Sequence, residues 1–450
     1  MTGLASLSRP VRYVIVGAGI TGLTAARSIR AADPRAQLTL ISDERHLPYS
    51  RPGLAYYLTN DIPQSQLFPW TEADLRGLRA SFLHARAAGL DTTGHVLTLS
   101  DQRALAYDVL LLATGAPALL PDIPGSQLQG VVTLDRLDDV TRILSLAKST
   151  RRAVVIGGGI TAVEIAEGLA ARGVETHYFM RKERFWGAVL DPEESRWVEQ
   201  GMVQHGIRLH YNTHAIRVLG QRGRVKGVLT ERGESIACQM VGFAIGIGPR
   251  LDLARAAGLK VDRGILTDEY LRTSATDVFA AGDAAQVFDP ASGKYSLESL
   301  WWMAEDQGRA AGANMAGGAS PYLRDIPFNV TRVGGLIVTI VGHVGQGGQD
   351  ADLVSIVHGD SETWREGLDS FAVRTQNRTC RIRLAVGEDC LVGAVILGDQ
   401  TLSRPLTDLV RNRVPLGRLR QQLLTEPERA VQVLLDYGQK QVRRRMQAVA

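Results

Sequence analysis

Two glycine-rich turns carry the most chemistry in this chain, Gly17-Ala18-Gly19-Ile20-Thr21-Gly22 and Gly157-Gly158-Gly159-Ile160-Thr161-Ala162. Spacing of this kind lets a backbone bend sharply, approach a pyrophosphate closely and point amide N–H groups at it from a helix N-terminus. In the first turn Gly17 serves the bend, Gly19 the close approach and Gly22 the packing of helix on strand. A carboxylate about twenty residues past such a turn accepts ribose hydroxyls. Glu44 stands there, with Asp43 as its rival. The second turn has Ala162 as its last small residue, a change the pattern tolerates because only close packing is at stake. Its matching position holds no acid: Met180 is followed by Arg181, Lys182 and Arg184. A carboxylate repels a 2′-phosphate, whereas a guanidinium pairs with it in a bidentate way. The second site is therefore expected to take NADPH in preference to NADH, the plainer alternative being a solvated basic loop.

Strands and helices must aim this chemistry. Val11-Arg12-Tyr13-Val14-Ile15-Val16 reads as a strand running into the first turn, and Leu23-Thr24-Ala25-Ala26-Arg27-Ser28-Ile29 as the helix leaving it. Gln37-Leu38-Thr39-Leu40-Ile41 is the next strand and ends on Ser42-Asp43-Glu44. The second unit repeats the order with strand Ala153–Ile156, a helix, and strand Glu175–Met180. Between the two units, the run ending Val109-Leu110-Leu111-Leu112 predicts a buried strand that delivers the small-residue loop Ala113-Thr114-Gly115-Ala116. Pro121, Pro124 and Gly125 then punctuate a crossover, and the second unit runs to about Gly248-Pro249. Further on, Val278-Phe279-Ala280-Ala281 is a strand ending on Gly282-Asp283, where Asp283 taken alone reads as a turn or helix cap. Beyond about Pro321 the pattern shifts to Val- and Ile-rich strands with Gly-Gly turns, such as Gly335–Val341 and Cys390–Leu397, and reads as an α+β domain of its own.

Composition narrows the class. A chain of 450 residues is too long for one core and implies roughly two to four domains. Apolar residues make up 45% and charged residues 22%, as in a soluble globular enzyme. A formal net charge of +4 is too small for this size to argue for nucleic acid. No run approaches the roughly eighteen apolar residues of a spanning helix, and Met1–Arg9 lacks a long apolar stretch, so the cytoplasm is the expected location. Cys238, Cys380 and Cys390 are dispersed with no CxxC pair, which excludes a locally built redox disulfide or cysteine-rich metal site. Cys380 and Cys390 can meet only across a hairpin, and burial as small apolar residues is the expectation for both. The nine histidines show no HExxH or comparable spacing, so no metal is assigned.

Together these motifs resemble the pyridine nucleotide-disulfide oxidoreductase superfamily of two-dinucleotide flavoproteins, over nearly the whole chain. The first fingerprint, Ala113-Thr114-Gly115-Ala116, the second fingerprint with Glu164, and Ala281-Gly282-Asp283 carry the resemblance. It implies an α/β fold with two Rossmann-like dinucleotide-binding domains. The FAD domain (9–122 and 251–322) would be split around an inserted NAD(P) domain (123–250), with a C-terminal α+β interface domain (323–450) that commonly supplies dimer or partner surface. Gly17, Gly19, Ile20, Gly22 and Glu44 would then hold FAD, Ala113, Thr114 and Gly115 would line it, and Asp283, after Gly282, would bind the ribityl chain. Gly157, Gly159, Ile160, Arg181, Lys182 and Gly246 would hold the nicotinamide nucleotide.

The branch decides where electrons go. Thiol-using members carry a reactive cysteine in the stretch that here reads Glu44-Arg45-His46-Leu47-Pro48-Tyr49-Ser50-Arg51-Pro52-Gly53-Leu54-Ala55-Tyr56-Tyr57, with no cysteine. The stretch is similar instead to rubredoxin and ferredoxin reductases and to the flavin part of the nitrite reductase large subunit, which implies that Arg51 and Pro52 lie along the FAD. Those reductases often place a lysine where Tyr56 stands, paired with the counterpart of Glu164; here Glu164, the candidate catalytic group, needs another partner or a proton. Glu298-Ser299-Leu300-Trp301-Trp302-Met303-Ala304 resembles the segment beside the isoalloxazine, with Trp301 or Trp302 at the ring or in plain core packing. Hydride would pass from NADPH, or NADH, to FAD, and electrons onward to a rubredoxin or ferredoxin. Arg404, Arg411, Arg413, Arg418 and Arg420 could meet such an acidic partner. Two alternatives stay open. One is a peripheral-membrane type II quinone reductase docking through the basic tail Gln439–Val449, and the other is a flavoprotein subunit of a larger complex.

Overall fold

The computed structural model describes residues 9–344, 371–376, 379–426, 429, 433–434 and 436–437, so the basic tail considered for membrane docking lies outside the described residues. The chain divides into two units: Met1–Gly53, Pro63–Pro117 and Ile247–Arg324 form one, and Leu54–Ile62, Ala118–Gly246 and Asp325–Ala450 the other.

In the first unit a five-stranded parallel sheet has the order Val278–Ala280, Val109–Leu112, Arg12–Val16, Gln37–Ser42 and Ala80–His84. Its inner strands are near-continuous apolar runs because a parallel sheet is covered on both faces. Ile15, Leu40, Leu110 and Leu111 are accordingly fully buried. The helix Ile20–Ala32 packs against the helix Trp301–Met315 with backbones close together. Gly308 and Gly312 permit this, since a Cβ at either would lie 2.4 Å from the carbonyl oxygens of Thr21 and Ala25 respectively. The segment Leu271–Ser274 joins the strand Val278–Ala280 by the single bridge Arg272 to Phe279, and Leu271 takes a φ of +66°.

The second unit repeats the parallel design with order Ile207–His210, Glu175–Phe179, Arg152–Gly157, Met240–Ala244 and Val131–Val132. An antiparallel sheet of Ala215–Gln221, Arg224–Thr230 and Ser235–Ala237 adjoins it and shares the cluster of Ile156, Phe179, Val228 and Phe243. The C-terminal part is a five-stranded antiparallel sheet in the order Phe328–Val333, Leu336–Gly342, Leu391–Gly398, Cys380–Val386 and Phe371–Gln376. Helices Ser403–Arg411 and Arg418–Thr425 supply Leu406, Leu409 and Leu423 to its core. Gly335, expected to open a strand, sits in the hairpin turn instead; Gly334 and Gly335 have φ of +59° and +70°, which that turn requires. Cys238, Cys380 and Cys390 are all buried free thiols, as expected for Cys380 and Cys390.

Candidate dinucleotide sites

The C-terminal ends of four adjacent parallel strands in the first unit lead into Gly282-Asp283, Ala113-Thr114-Gly115, Gly17-Ala18-Gly19 and Asp43-Glu44. Ligands of open α/β sheets bind at this edge. Gly17 has a φ of +116°, and a Cβ there would lie 2.0 Å from Ala113 O, so the glycine turn and the Ala113 loop touch through backbone. A Cβ on Gly22 would lie 1.9 Å from Gly17 O, which closes the helix onto the strand. Gly19 caps the helix that starts at Ile20 without any side-chain bond, and a Cβ there would meet nothing within 4 Å. Gly115 is equally open. Thr114 Oγ1 is buried with no hydrogen-bond partner among the described residues. An orphaned hydroxyl beside two open glycine positions and the free amides of a helix N-terminus suits a phosphate-bearing cofactor.

Glu44 and Arg51 come together, with Arg51 Nη2 on Glu44 Oε1 at 2.7 Å. Tyr49 OH donates to Glu44 Oε2 at 2.6 Å, a partner that sequence reasoning missed because nothing in the spacing marks it. A carboxylate has about four acceptor positions, so lone pairs remain for ribose hydroxyls. Asp43, the rival, pairs instead with Arg250 at 3.5 Å. Pro52 stands directly before the helix Gly53–Thr59. Trp301 and Trp302, both half-buried, begin the helix that carries the buried Gln307.

In the second unit, a Cβ on Gly157 would lie 2.3 Å from Ala244 O and 2.8 Å from Ala162 Cβ, while Gly158 is open. Gly159 caps the helix from Ile160, and Gly246 O receives Leu119 N at 2.7 Å. The strand ends at Phe179 with Met180 buried, its amide bonded to His210 O at 2.9 Å. Lys182 O accepts Asn212 N at 3.2 Å, which ties the basic loop to the next strand's end. The cations are not equivalent. Arg184 is bound to Glu183 at 2.9 Å and to Gly187 O at 3.2 Å, whereas Arg181 is exposed and makes no ion pair among the described residues.

Glu164 lies half-buried on the helix Ile160–Ala171. Tyr56, which replaces the expected lysine, feels its charge: burial raises the phenol's pKa, Glu164 raises it further and Arg332 opposes. Arg332 lies 5.8 Å from the Tyr56 ring centroid and pairs with Asp61. One turn on, Glu167 is buried against His205 Nδ1 at 3.4 Å and Gly335 N at 3.3 Å, and burial pushes its carboxyl upward. The Glu164–Glu167 spacing on one helix face was the available signal for this second carboxylate. Burial pushes the Cys238 thiol up to about 12, which leaves it inert as a nucleophile. Among the described residues no helix is long and apolar enough to cross a membrane.

The family described as pyridine nucleotide-disulphide oxidoreductase matches residues 11–308. Rhodocoxin reductase of Rhodococcus erythropolis is 31% identical over 353 residues, covering 76% of this chain and 82% of that protein. Rubredoxin-NAD(+) reductase of Pseudomonas putida is 30% identical over 274 residues, covering 60% and 71%. The crystal structure of a ferredoxin reductase from Rhodopseudomonas palustris superposes with a TM-score of 0.79 at 27% identity, covering 90% of this chain and 95% of that one.

Proposed function

Because the chain belongs to the pyridine nucleotide-disulphide oxidoreductase family, we propose that it oxidises a reduced nicotinamide nucleotide through FAD and delivers the electrons to a small redox protein of the rubredoxin or ferredoxin kind. The observation that carries this reading is the pair of complete strand–glycine–helix units in a chain whose three cysteines are buried, free and separate. When bound, FAD and the nicotinamide supply the hydride chemistry, so the protein's tasks are to hold, orient and exclude water. The helix amides after Gly19 hold a pyrophosphate, Glu44 accepts ribose hydroxyls, and the Thr114 hydroxyl and Asp283 carboxylate bind along the flavin's chain. The amides after Gly159 do the same for the second nucleotide. With no thiol pair available, electrons leave to an outside acceptor. Arg404, Arg413 and Arg418 are exposed and make no ion pair among the described residues, a surface suited to an acidic partner, whereas Arg411 is engaged by Asp325 at 3.0 Å.

Anaerobic reduction followed by a panel of oxygen, quinone, disulfide, rubredoxin and ferredoxin tests the reading. Rapid transfer to an iron–sulfur or rubredoxin acceptor, slowing with salt, is the expected result. A fast disulfide reaction would overturn the thiol argument, and a salt-independent rate would remove the arginine surface.

The second nucleotide is NADPH in this reading. The rubredoxin relative is named for NAD(+), and Arg181 beside Met180 supports the departure. A guanidinium–phosphate bond of about 1.5–3 kcal/mol corresponds to a preference of about ten- to hundredfold. Arg181→Ala is expected to lower kcat/KM for NADPH by about that factor and leave NADH within about twofold. An NADH preference in the wild type that the substitution does not change rejects NADPH.

A further inference from the structure

Asp283 sits in the short turn Gly282–Ala284 after the strand Val278–Ala280. Gly282 has a φ of +73°, and a Cβ there would lie 2.4 Å from Thr21 Oγ1, so this turn abuts the first turn of the helix Ile20–Ala32. Its amide is held from the other side: Gly282 N donates to Gln307 Oε1 at 2.8 Å, and Gln307 is fully buried. At the opposite end of the same amide, Gln307 Nε2 faces Glu298 Oε2 at 3.4 Å. Glu298 is only 2% exposed, and it accepts Tyr322 OH at 2.9 Å and Arg324 Nε at 2.6 Å.

The roles in this chain are forced. A peptide N–H only donates, so the Gln307 oxygen must face Gly282, and the remaining NH2 must face an acceptor. Glu298, already accepting from Tyr322 and Arg324, offers that acceptor at 3.4 Å, and Tyr322, which also bonds the Gln307 side chain, helps hold the amide in that orientation. Apolar side chains of similar volume would fill the space without the cost of burying a charge. What the polar network adds is direction.

We propose that Glu298 and Gln307 are positioning residues for the flavin: Glu298 orients the Gln307 amide, which fixes the Gly282 amide and thereby the turn that presents Asp283. The inference rests on the reading that Asp283 binds FAD, and it adds two residues that touch no cofactor themselves.

The test uses the full-length protein, with FAD affinity read by flavin fluorescence and folding by the melting temperature of the apoprotein. Gln307→Met orphans the Gly282 amide and is expected to weaken FAD about tenfold or more. Gln307→Glu keeps an acceptor for Gly282 but faces Glu298 with a second carboxyl. Two carboxyls sharing a site raise the pKa of one of them, so the shared proton that joins them is present at low pH and lost as pH rises. Tyr322 and Arg324 face Glu298 unchanged, and the charge of Asp306 reaches Tyr322. Gln307→Glu should therefore bind FAD much like the wild type near about pH 5 and about tenfold more weakly near about pH 8. Exchanging the pair, Glu298→Gln with Gln307→Glu, leaves one carboxylate and should flatten the profile again. A pH-independent Gln307→Glu overturns the proposal even if Gln307→Met does not fold. Asp283→Ala separates the two readings: if it weakens FAD while both Gln307 variants bind normally, only the positioning role falls. If Asp283→Ala binds FAD normally, both fall.

Discussion

Arg383→Ala is expected to destabilise the second unit by about 3–5 kcal/mol, the usual cost of leaving one buried charge without its partner. Arg383 grips Glu194 with both arms of its guanidinium, Nε to Oε1 at 2.9 Å and Nη2 to Oε2 at 3.0 Å. Its other protons go to Val344 O at 2.7 Å and Val189 O at 2.6 Å. Glu194 has no exposed surface, so water cannot replace the arginine. The same carboxylate closes a capping box at the helix Pro192–Gln204, accepting Asp191 N at 2.8 Å, while Asp191 pairs with Arg381 at 2.9 Å and Arg374 at 3.0 Å. Arginines of two adjacent strands thus fasten the C-terminal sheet to the start of the helix Pro192–Gln204. Burial pushes the Asp191 carboxyl upward, but the Glu194 amide and the two arginines outweigh it and hold it below the usual range. Its contribution is therefore present above the ordinary Asp range near about pH 4 and fades as pH falls through the depressed value. Denaturant unfolding followed by tryptophan fluorescence measures the loss. Arg383→Met with Glu194→Gln removes the charge while keeping an acceptor for the cap, and should recover most of it. A cost below about 1 kcal/mol for Arg383→Ala would mean that the pair is solvated.

The contrast between this clamp and the glycine turns shows what a sequence can disclose. Gly17, Gly22 and Gly157 were legible because close backbone approach leaves no substitute for glycine, and their neighbours in the chain supply the strand and helix that confirm the turn. Glu44 was legible by distance along the chain, yet Tyr49 was not, since only the folded loop brings its hydroxyl there. Cys380-Arg381-Ile382-Arg383-Leu384 alternates like a half-exposed strand, and period alone turns both arginines toward water. They are buried because Asp191 and Glu194, far away in the chain, neutralise them. Gln307 and Glu298 were hidden for the same reason: a buried polar network has no period, and its partners are assembled from three segments. The Glu164 region shows the converse, where the absent lysine was visible but the Arg332 that reaches Tyr56 from the C-terminal sheet was not.

Gly17→Ala and Gly19→Ala should both abolish tight FAD binding but separate completely in stability. At Gly17 the φ of +116° is one that alanine adopts only under strain, at about 1–3 kcal/mol. The new methyl would also lie 2.0 Å from Ala113 O, so the strand-end loop must move as well. The apoprotein is expected to lose at least about 2–3 kcal/mol, and FAD affinity falls because its platform shifts. Gly19 has a φ of −74°, which any residue accepts, and its methyl would meet no atom within 4 Å. Exchanging glycine for alanine at such a cap changes stability by no more than about 1 kcal/mol, with part of the loss offset by a less flexible unfolded chain. The open space at Gly19 is where a pyrophosphate would approach the helix amides, so a methyl there displaces the ligand and nothing else. Apoprotein melting and FAD titration of the two variants decide it. A Gly19→Ala protein that binds FAD as tightly as the wild type would place the pyrophosphate elsewhere, whatever Gly17→Ala does to the fold.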